Sequence, residues 1–160
     1  MSGEDAVEVR DLDVATLRSR FVDHEFEAKA FEVEPGAIVA FALALGERSP
    51  RYLDPSHPDF QAPPTFTSSL MTNRQLPPGF PVIEGLTMNA GKSLEVMRPV
   101  RPGRVVGHAR LHEIFEKTGR SGQMVFLVSR MALYDQAGDL LALSDSRQVI
   151  RERPDRSPKT

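Results

Sequence analysis

Residues 46–54, Gly-Glu-Arg-Ser-Pro-Arg-Tyr-Leu-Asp, gather side chains that can move protons. Glu47 offers a carboxylate that can accept a proton. Tyr52, five residues on, offers a phenol that donates a hydrogen bond at neutral pH but is a poor base, since its reference pKa is about 10. Two readings stand on these residues alone: a modified acid/base pair, with Glu47 as base and Tyr52 as donor, or a plain turn in which Glu47 ends a helix and Tyr52 packs behind it. Asp54 and His57, in Asp-Pro-Ser-His, form a second candidate pair across a short loop. His108 and His112 lie four apart, so on a strand they share one face but stand too far from each other to hold a metal. His24 has no informative neighbours. No cysteine is present, which excludes disulfides, thiol catalysis and cysteine-based zinc sites. No metal and no resident cofactor is expected.

A catalytic or binding loop needs elements to hold it. Glu34-Pro35-Gly36 opens a helix, with proline where its missing N–H does no harm. The following run, AIVAFALALG, is apolar all round, which predicts a helix buried on every side and stopped by Gly46. Ahead of it come a short helix, VATLRSRF, and a strand-like EFEAKAFEV. Residues 49–81 are rich in proline, and the island PPTFTSSLMT reads as a short helix starting after Pro64, near Thr65. After Gly85 four long strands are expected: LTMNAGKSLEVMRPV, RVVGHARLHEIFEK, QMVFLVSRMALYD and LLALSDSRQVI. Between Val105 and Phe115 apolar residues take the odd positions, while His108, Arg110 and His112 take even ones, as on a strand with one dry and one wet face. The fold class is therefore α+β, one antiparallel sheet wrapped around a long central helix. Such a sheet leaves edges open, so an oligomer is expected.

Length and composition agree with one domain. The 160 residues suit a single core, and a net charge of −2 gives no reason to expect nucleic acid as a partner. The acidic start, residues 1–13, and the charged tail, residues 151–160, are expected to be flexible, leaving 14–150 as the folded domain. The N-terminus lacks the features of a secretory signal and the longest apolar run is too short to span a bilayer, so a cytoplasmic protein without membrane contact is expected.

Four stretches occur together and in order: Gly46–Asp54, Ala62–Phe66, Asn89–Gly103 with its Arg-Pro-Gly-Arg-Val-Val-Gly entry, and Glu116–Gly122. Together they resemble the MaoC-like (R)-specific hydratase/dehydratase family, and especially its N-terminal FAS1-like dehydratase branch, from about Phe31 to Ile150. The resemblance implies a hot-dog fold and an acyl thioester substrate carried on coenzyme A or an acyl carrier protein. Catalytic members carry G-D-x-N-P-x-H-x-D after the central helix. In this chain Gly46, Pro50 and Asp54 keep their places, Glu47 stands for the catalytic Asp, Ser49 for Asn and Tyr52 for His. Tyr at the His position is typical of the non-catalytic N-terminal halves, so the resemblance implies a substrate-binding half that pairs, as homodimer or heterodimer, with a second hot-dog subunit. The alternatives are a self-sufficient hydratase acting on an unusual acyl or polyketide thioester, and an acyl-thioester binding or scaffold protein without turnover.

Adding water to an enoyl thioester needs a base, a proton donor and hydrogen-bond donors for the thioester oxygen. By resemblance, Pro64, Thr65 and Phe66 line the acyl pocket and supply a backbone donor. Ser49 is placed with the substrate through its position in the loop. Arg98 and Arg104, with Arg101, and Lys117 and Arg120 in the expected hairpin supply cations near the presumed entrance, where arginine suits phosphate through its planar fork.

Overall fold

The computed structural model describes residues 6–120 and 122–153. A five-stranded sheet in the order β2-β5-β6-β7-β4 dominates it, every pairing antiparallel. The strands are β2 (Glu25–Val33), β4 (Leu86–Val96), β5 (Gly103–Gly119), β6 (Gly122–Tyr134) and β7 (Leu140–Arg151). Two short strands, β1 (Val7–Glu8) and β3 (Ile83–Glu84), form a separate parallel ladder. Three α-helices complete it: α1 (Val14–Phe21), α2 (Pro35–Ala44) and α3 (Pro50–Leu53).

The alternation expected for β5 is realised. Val105, Ala109 and Leu111 are buried on the inner face, while His108 and Arg110 take the other. The inner face carries two separate cores. One joins Ile38 and Ala42 of α2 to Phe60, Phe66, Val105, Ala109, Met131, Leu133 and Ala142. The second joins Val14, Leu17 and Phe21 of α1, with Val9 and Phe80, to Leu111, Ile114, Val125, Leu127 and Ile150. Phe21 meets Phe80 edge-on at 5.1 Å, so the Pro-rich connection is anchored by an aromatic contact. Asp13 caps α1 by accepting from the Thr16 N–H at 3.0 Å and the Thr16 hydroxyl at 2.7 Å.

The helix expected to be buried on every side is not. α2 is ten residues long and buries Ile38 and Ala42, but Ala37, Ala40, Leu43 and Ala44 form an exposed stripe. A single sheet can cover only one side of a helix, so an all-apolar helix within one chain keeps one dry face and one bare face. Order also begins before residue 13: β1 pairs with β3 and Val9 is buried, because its side chain completes the second core. Arg151 closes β7 rather than starting a tail, and residues 154–160 lie outside the described residues. Among the described residues no helix is long and apolar enough to cross a membrane.

Candidate functional site

The end of α2 is a helix stop built by backbone. Gly46 has φ 76°, a left-handed conformation that glycine adopts without strain, and its N–H donates to the Leu43 carbonyl at 3.0 Å. The Glu47 N–H reaches back to the Ala42 carbonyl at 3.0 Å, completing a glycine-type cap. Ser49-Pro50 then opens α3, in which the Tyr52 N–H donates to the Ser49 carbonyl and the Asp54 N–H to the Pro50 carbonyl. The loop's shape thus rests on Gly46, Pro50 and main-chain bonds. The side chains of Glu47, Ser49 and Tyr52, each half-buried, are free to vary on that frame.

Asp54 and His57 do not form a carboxylate–imidazole pair. The Asp54 carboxylate accepts the Ser56 hydroxyl at 2.7 Å and the Ser56 N–H at 2.9 Å, and these bonds hold it below the ordinary carboxylate range. His57 Nδ1 accepts the Asp59 N–H at 3.0 Å. Both side chains are engaged in closing the turn, as Asx chemistry does in loops.

From here the chain is fastened to the segment between β4 and β5. The Ala62 N–H donates to the Val100 carbonyl at 2.8 Å and Arg101 donates to the Phe60 carbonyl at 3.1 Å. Between these two walls lies a cavity of about 240 Å³, lined by Gln61–Pro64 and Thr67 on one side and Val96–Val100 on the other. The expected helix at Thr65 is instead a six-residue 3-10 turn, Pro64–Ser69, whose Phe66 N–H is already bonded to the Pro63 carbonyl. Consecutive prolines fix φ at its entrance. Thr67, buried, donates its hydroxyl to the Pro64 carbonyl at 2.9 Å.

Of the residues singled out by sequence, Pro64 and Arg98 meet at this cavity. Gln61, Thr67 and Met97 join them without a sequence signal of their own. Phe66 is turned into the core, where it meets Phe41 of α2 edge-on at 5.4 Å; it positions the turn rather than lining the cavity. Thr65 is exposed, and Arg104 lies exposed on β5. Glu47, Ser49 and Tyr52 do not line the cavity either.

The expected gathering of cations at one entrance is corrected. Lys117 lies thirteen residues along β5 from Arg104, which at about 3.3 Å per residue separates them by roughly 40 Å. Its ammonium sits over the stacked rings of Phe115 and Phe126, 5.4 and 5.5 Å from their centroids. Arg120 is at the same hairpin tip. Of the remaining arginines, Arg98 pairs with Asp139 at 2.6 Å and Arg101 lies 3.9 Å from Asp59, so both carry acidic company within the chain.

The outer face of the sheet holds a larger, open hollow of about 790 Å³ that includes His108, Tyr134 and Glu25. His108 Nδ1 lies 2.9 Å from Glu25, within hydrogen-bond reach, whereas the His112 Nδ1, 3.7 Å from Asp23, is buried without a hydrogen-bond partner among the described residues. Beneath them Arg130 makes a two-bond fork to Asp145 at 2.7 and 2.8 Å. Burial opposes ionisation of Asp145, but the hydrogen bonds and charge of Arg130 hold its carboxyl below the usual value. This hollow lies across the sheet from the loop and the proline turn, so the chemistry suggested by sequence is not placed there.

Comparison with known proteins bears on the whole arrangement. Residues 20–144 match the family described as FAS1-like, dehydratase domain region. No curated protein matches the chain by sequence. Among solved structures, a MaoC-like dehydratase from Rhodospirillum rubrum superposes with a TM-score of 0.62 at 22% identity, over 86% of this chain and 97% of that one. The (R)-hydratase PhaJ1 from Pseudomonas aeruginosa gives 0.59 at 16% identity, over 97% and 96%. The ChsH1-ChsH2 complex from Mycobacterium tuberculosis gives 0.65 at 18% identity, over 91% and 92%. These likenesses establish the hot-dog fold.

Proposed function

The chain belongs to the FAS1-like dehydratase family, and from that premise we propose that it is the substrate-binding half of an enoyl-thioester hydratase, or 3-hydroxyacyl-thioester dehydratase, acting in the cytoplasm. The observation that supports this reading is a glycine helix stop followed by a proline turn, the frame the family resemblance expects, with a phenol at the position where that resemblance expects an imidazole. Gly46 and the Pro50 turn keep their geometry, while Tyr52 stands where proton transfer calls for histidine. The loop's own histidine, His57, is committed to the Asp59 N–H through Nδ1.

Two bare surfaces support a partner. Leu43 of α2 and Leu45 just after it are 61% and 53% exposed, and β4, one of the two edges of the sheet, exposes Leu86 and Met88. A second hot-dog subunit laid against them would cover the helix and extend the sheet, and would supply the missing Asp and His. Heteromeric complexes occur among the structural relatives, in ChsH1-ChsH2 and in HadBC, a 3R-hydroxyacyl-ACP dehydratase complex, both from Mycobacterium tuberculosis. In this reading the cavity beside Pro64 and Arg98 takes the thioester arm, on coenzyme A or a carrier protein. No resident cofactor is required, since water addition needs only acids, bases and oxyanion donors.

The test is hydration of a short 2-enoyl-CoA by the purified chain, alone and co-expressed with a catalytic hot-dog subunit, with mass in solution measured alongside. Turnover is expected only in the mixed complex. Robust turnover by the chain alone, lost in Tyr52→Phe or Glu47→Gln, would overturn the assignment in favour of a self-sufficient enzyme. Thioester binding with no product in either case would make it a binding protein.

A further inference from the structure

The helices and both cores lie on one face of the sheet, yet the opposite face is not built for water. Leu127, Met131 and Leu133 of β6 belong to the cores, so the alternate positions Met124, Phe126, Val128, Arg130, Ala132 and Tyr134 point outward. One of these six is charged. A strand with one wet face alternates apolar and polar residues, whereas a near-continuous apolar run marks a strand covered on both sides.

The two ends of this outer face differ in bulk and in charge. Towards the β5–β6 hairpin the half-buried Phe115 and Phe126 rings stack at 4.7 Å, with the Lys117 ammonium over both. Lys117 and Arg120 have no acidic partner there among the described residues. Towards the other end lies the open hollow of about 790 Å³, with Val106, Ala132 and Leu143 among its lining. Asp23, Glu25 and Asp135 also line it, against Arg110 as the one arginine or lysine. Between the two ends run two cross-strand rows, Arg110–Arg130–Asp145 and Glu113–Val128–Arg147. From the first row to the second the charge turns from positive to negative along β5, and from negative to positive along β7.

A face of this kind complements itself when turned end for end. A two-fold axis lying across the strands, between the two rows, sets Arg110 opposite the second copy's Glu113 and Asp145 opposite its Arg147. The same rotation brings the second copy's stacked phenylalanines over Ala132 and His108, into the hollow, with its Lys117 towards the carboxylates there. We infer that the outer face of the sheet binds a second copy of this chain, the aromatic ridge of each entering the hollow of the other. The contact is isologous and joins two sheets in aligned packing. It lies across the sheet from α2, so it is independent of the hydratase reading and leaves the surface of α2 free. Five strands at about 4.8 Å, over the roughly 34 Å from Met124 to Tyr134, offer about 800 Å², the share each partner buries in a stable interface.

The test is mass in solution against concentration, by light scattering or sedimentation of the purified chain. The native chain is expected to pair at about 10 μM or below, within the range of interfaces of this size. Phe126→Asp removes the ridge and Leu143→Arg fills the hollow; each should weaken pairing about 30-fold or more, the worth of a hot-spot side chain. Both residues are half-buried and belong to neither core, and thermal melts check that the variants fold. Should either melt early, the exposed Lys117→Glu takes its place, with about 10-fold weaker pairing expected. One variant keeps its hollow and the other its ridge, so an equimolar mixture should pair about 10-fold more tightly than either alone. A native chain still monomeric at about 100 μM would overturn the inference. Pairing untouched by these variants but abolished by Leu43→Asp would place the contact on α2 and overturn it too. Pairing lost in each variant without recovery on mixing would exclude the end-for-end packing.

Discussion

If the loop after α2 is a catalytic frame that has lost its side chains, returning them should return chemistry. The perturbation is Glu47→Asp with Tyr52→His. The frame itself should tolerate it. The Glu47 N–H to Ala42 carbonyl, Tyr52 N–H to Ser49 carbonyl and Asp54 N–H to Pro50 carbonyl bonds are all main-chain, between 2.9 and 3.0 Å, and none depends on either side chain. Both residues are half-buried, so the change should cost no more than about 1 kcal/mol of stability. Aspartate draws the carboxylate back by about one C–C bond, roughly 1.5 Å. Imidazole supplies a group whose reference pKa, about 6.5, lies near the working pH, where the phenol's does not. General acid/base assistance is worth about 10²–10⁴ in rate. The double variant should therefore hydrate a short 2-enoyl-CoA at least about 10²-fold faster than the native chain, followed by loss of the enoyl absorbance. Tyr52→His alone should gain less, because carboxylate and imidazole act as a unit. A double variant that melts like the native chain and binds the thioester, yet shows no gain, would refute the idea that this loop is a vacated hydratase site.

Gly107→Ala should destabilise the chain by about 1–3 kcal/mol in urea denaturation, since the added methyl would meet Met131 Sδ at 2.6 Å and Phe31 at 3.1 Å; Gly36→Ala, with nothing within 4 Å, should stabilise α2 slightly. Leu43→Asp should lower the assembly state measured by light scattering or native mass without lowering the melting point of the isolated chain, because Leu43 is 61% exposed there. Asp145→Asn leaves Arg130 without its fork and should cost about 2–3 kcal/mol, less than a fully dry pair. Because the folded-state pKa of Asp145 is depressed, its contribution is present above the unfolded value, about 3.9, and is lost as pH falls through the folded value. Native and Asp145→Asn melting points should therefore stay a constant distance apart above about pH 4 and converge as pH falls below it.

Much of the fold was legible because it rests on local rules. VATLRSRF and EFEAKAFEV became α1 and β2 with the expected bounds, and all four long strands formed, the first stopping at Val96 instead of running on to Val100. The misreadings share a cause: they depend on what lies beside a residue in space. Uniform apolarity in α2 says that something covers each side, but not whether the cover comes from the same chain. Lys117 and Arg98 are equally basic as letters; the aromatic pair Phe115 and Phe126 claims the first and Asp139 the second. The short helix expected just after Pro64 is a six-residue 3-10 turn. Val9 looked like part of an acidic leader because one buried valine has no period.

Ser129, Ser144 and Ser146, on the inner face of β6 and β7 between the two cores, show why a polar stripe is tolerable in so small a domain. Were the core continuous, Ser129, Ser144 and Ser146 would each interrupt the burial that holds the sheet to its helices. Instead α2 with Phe66 closes one core and α1 with Phe80 closes the other, so each is complete before the stripe is reached. Stability is thereby uncoupled from the strip of sheet between them, and that strip is free to carry hydroxyls. On the proposed reading, the same division explains how an imidazole at position 52 could be lost without loss of the fold. The loop after α2 contributes main-chain bonds to the first core's edge and no side chain to either core. The loop after α2 and the strip of sheet between the cores are therefore structurally separate parts of this domain.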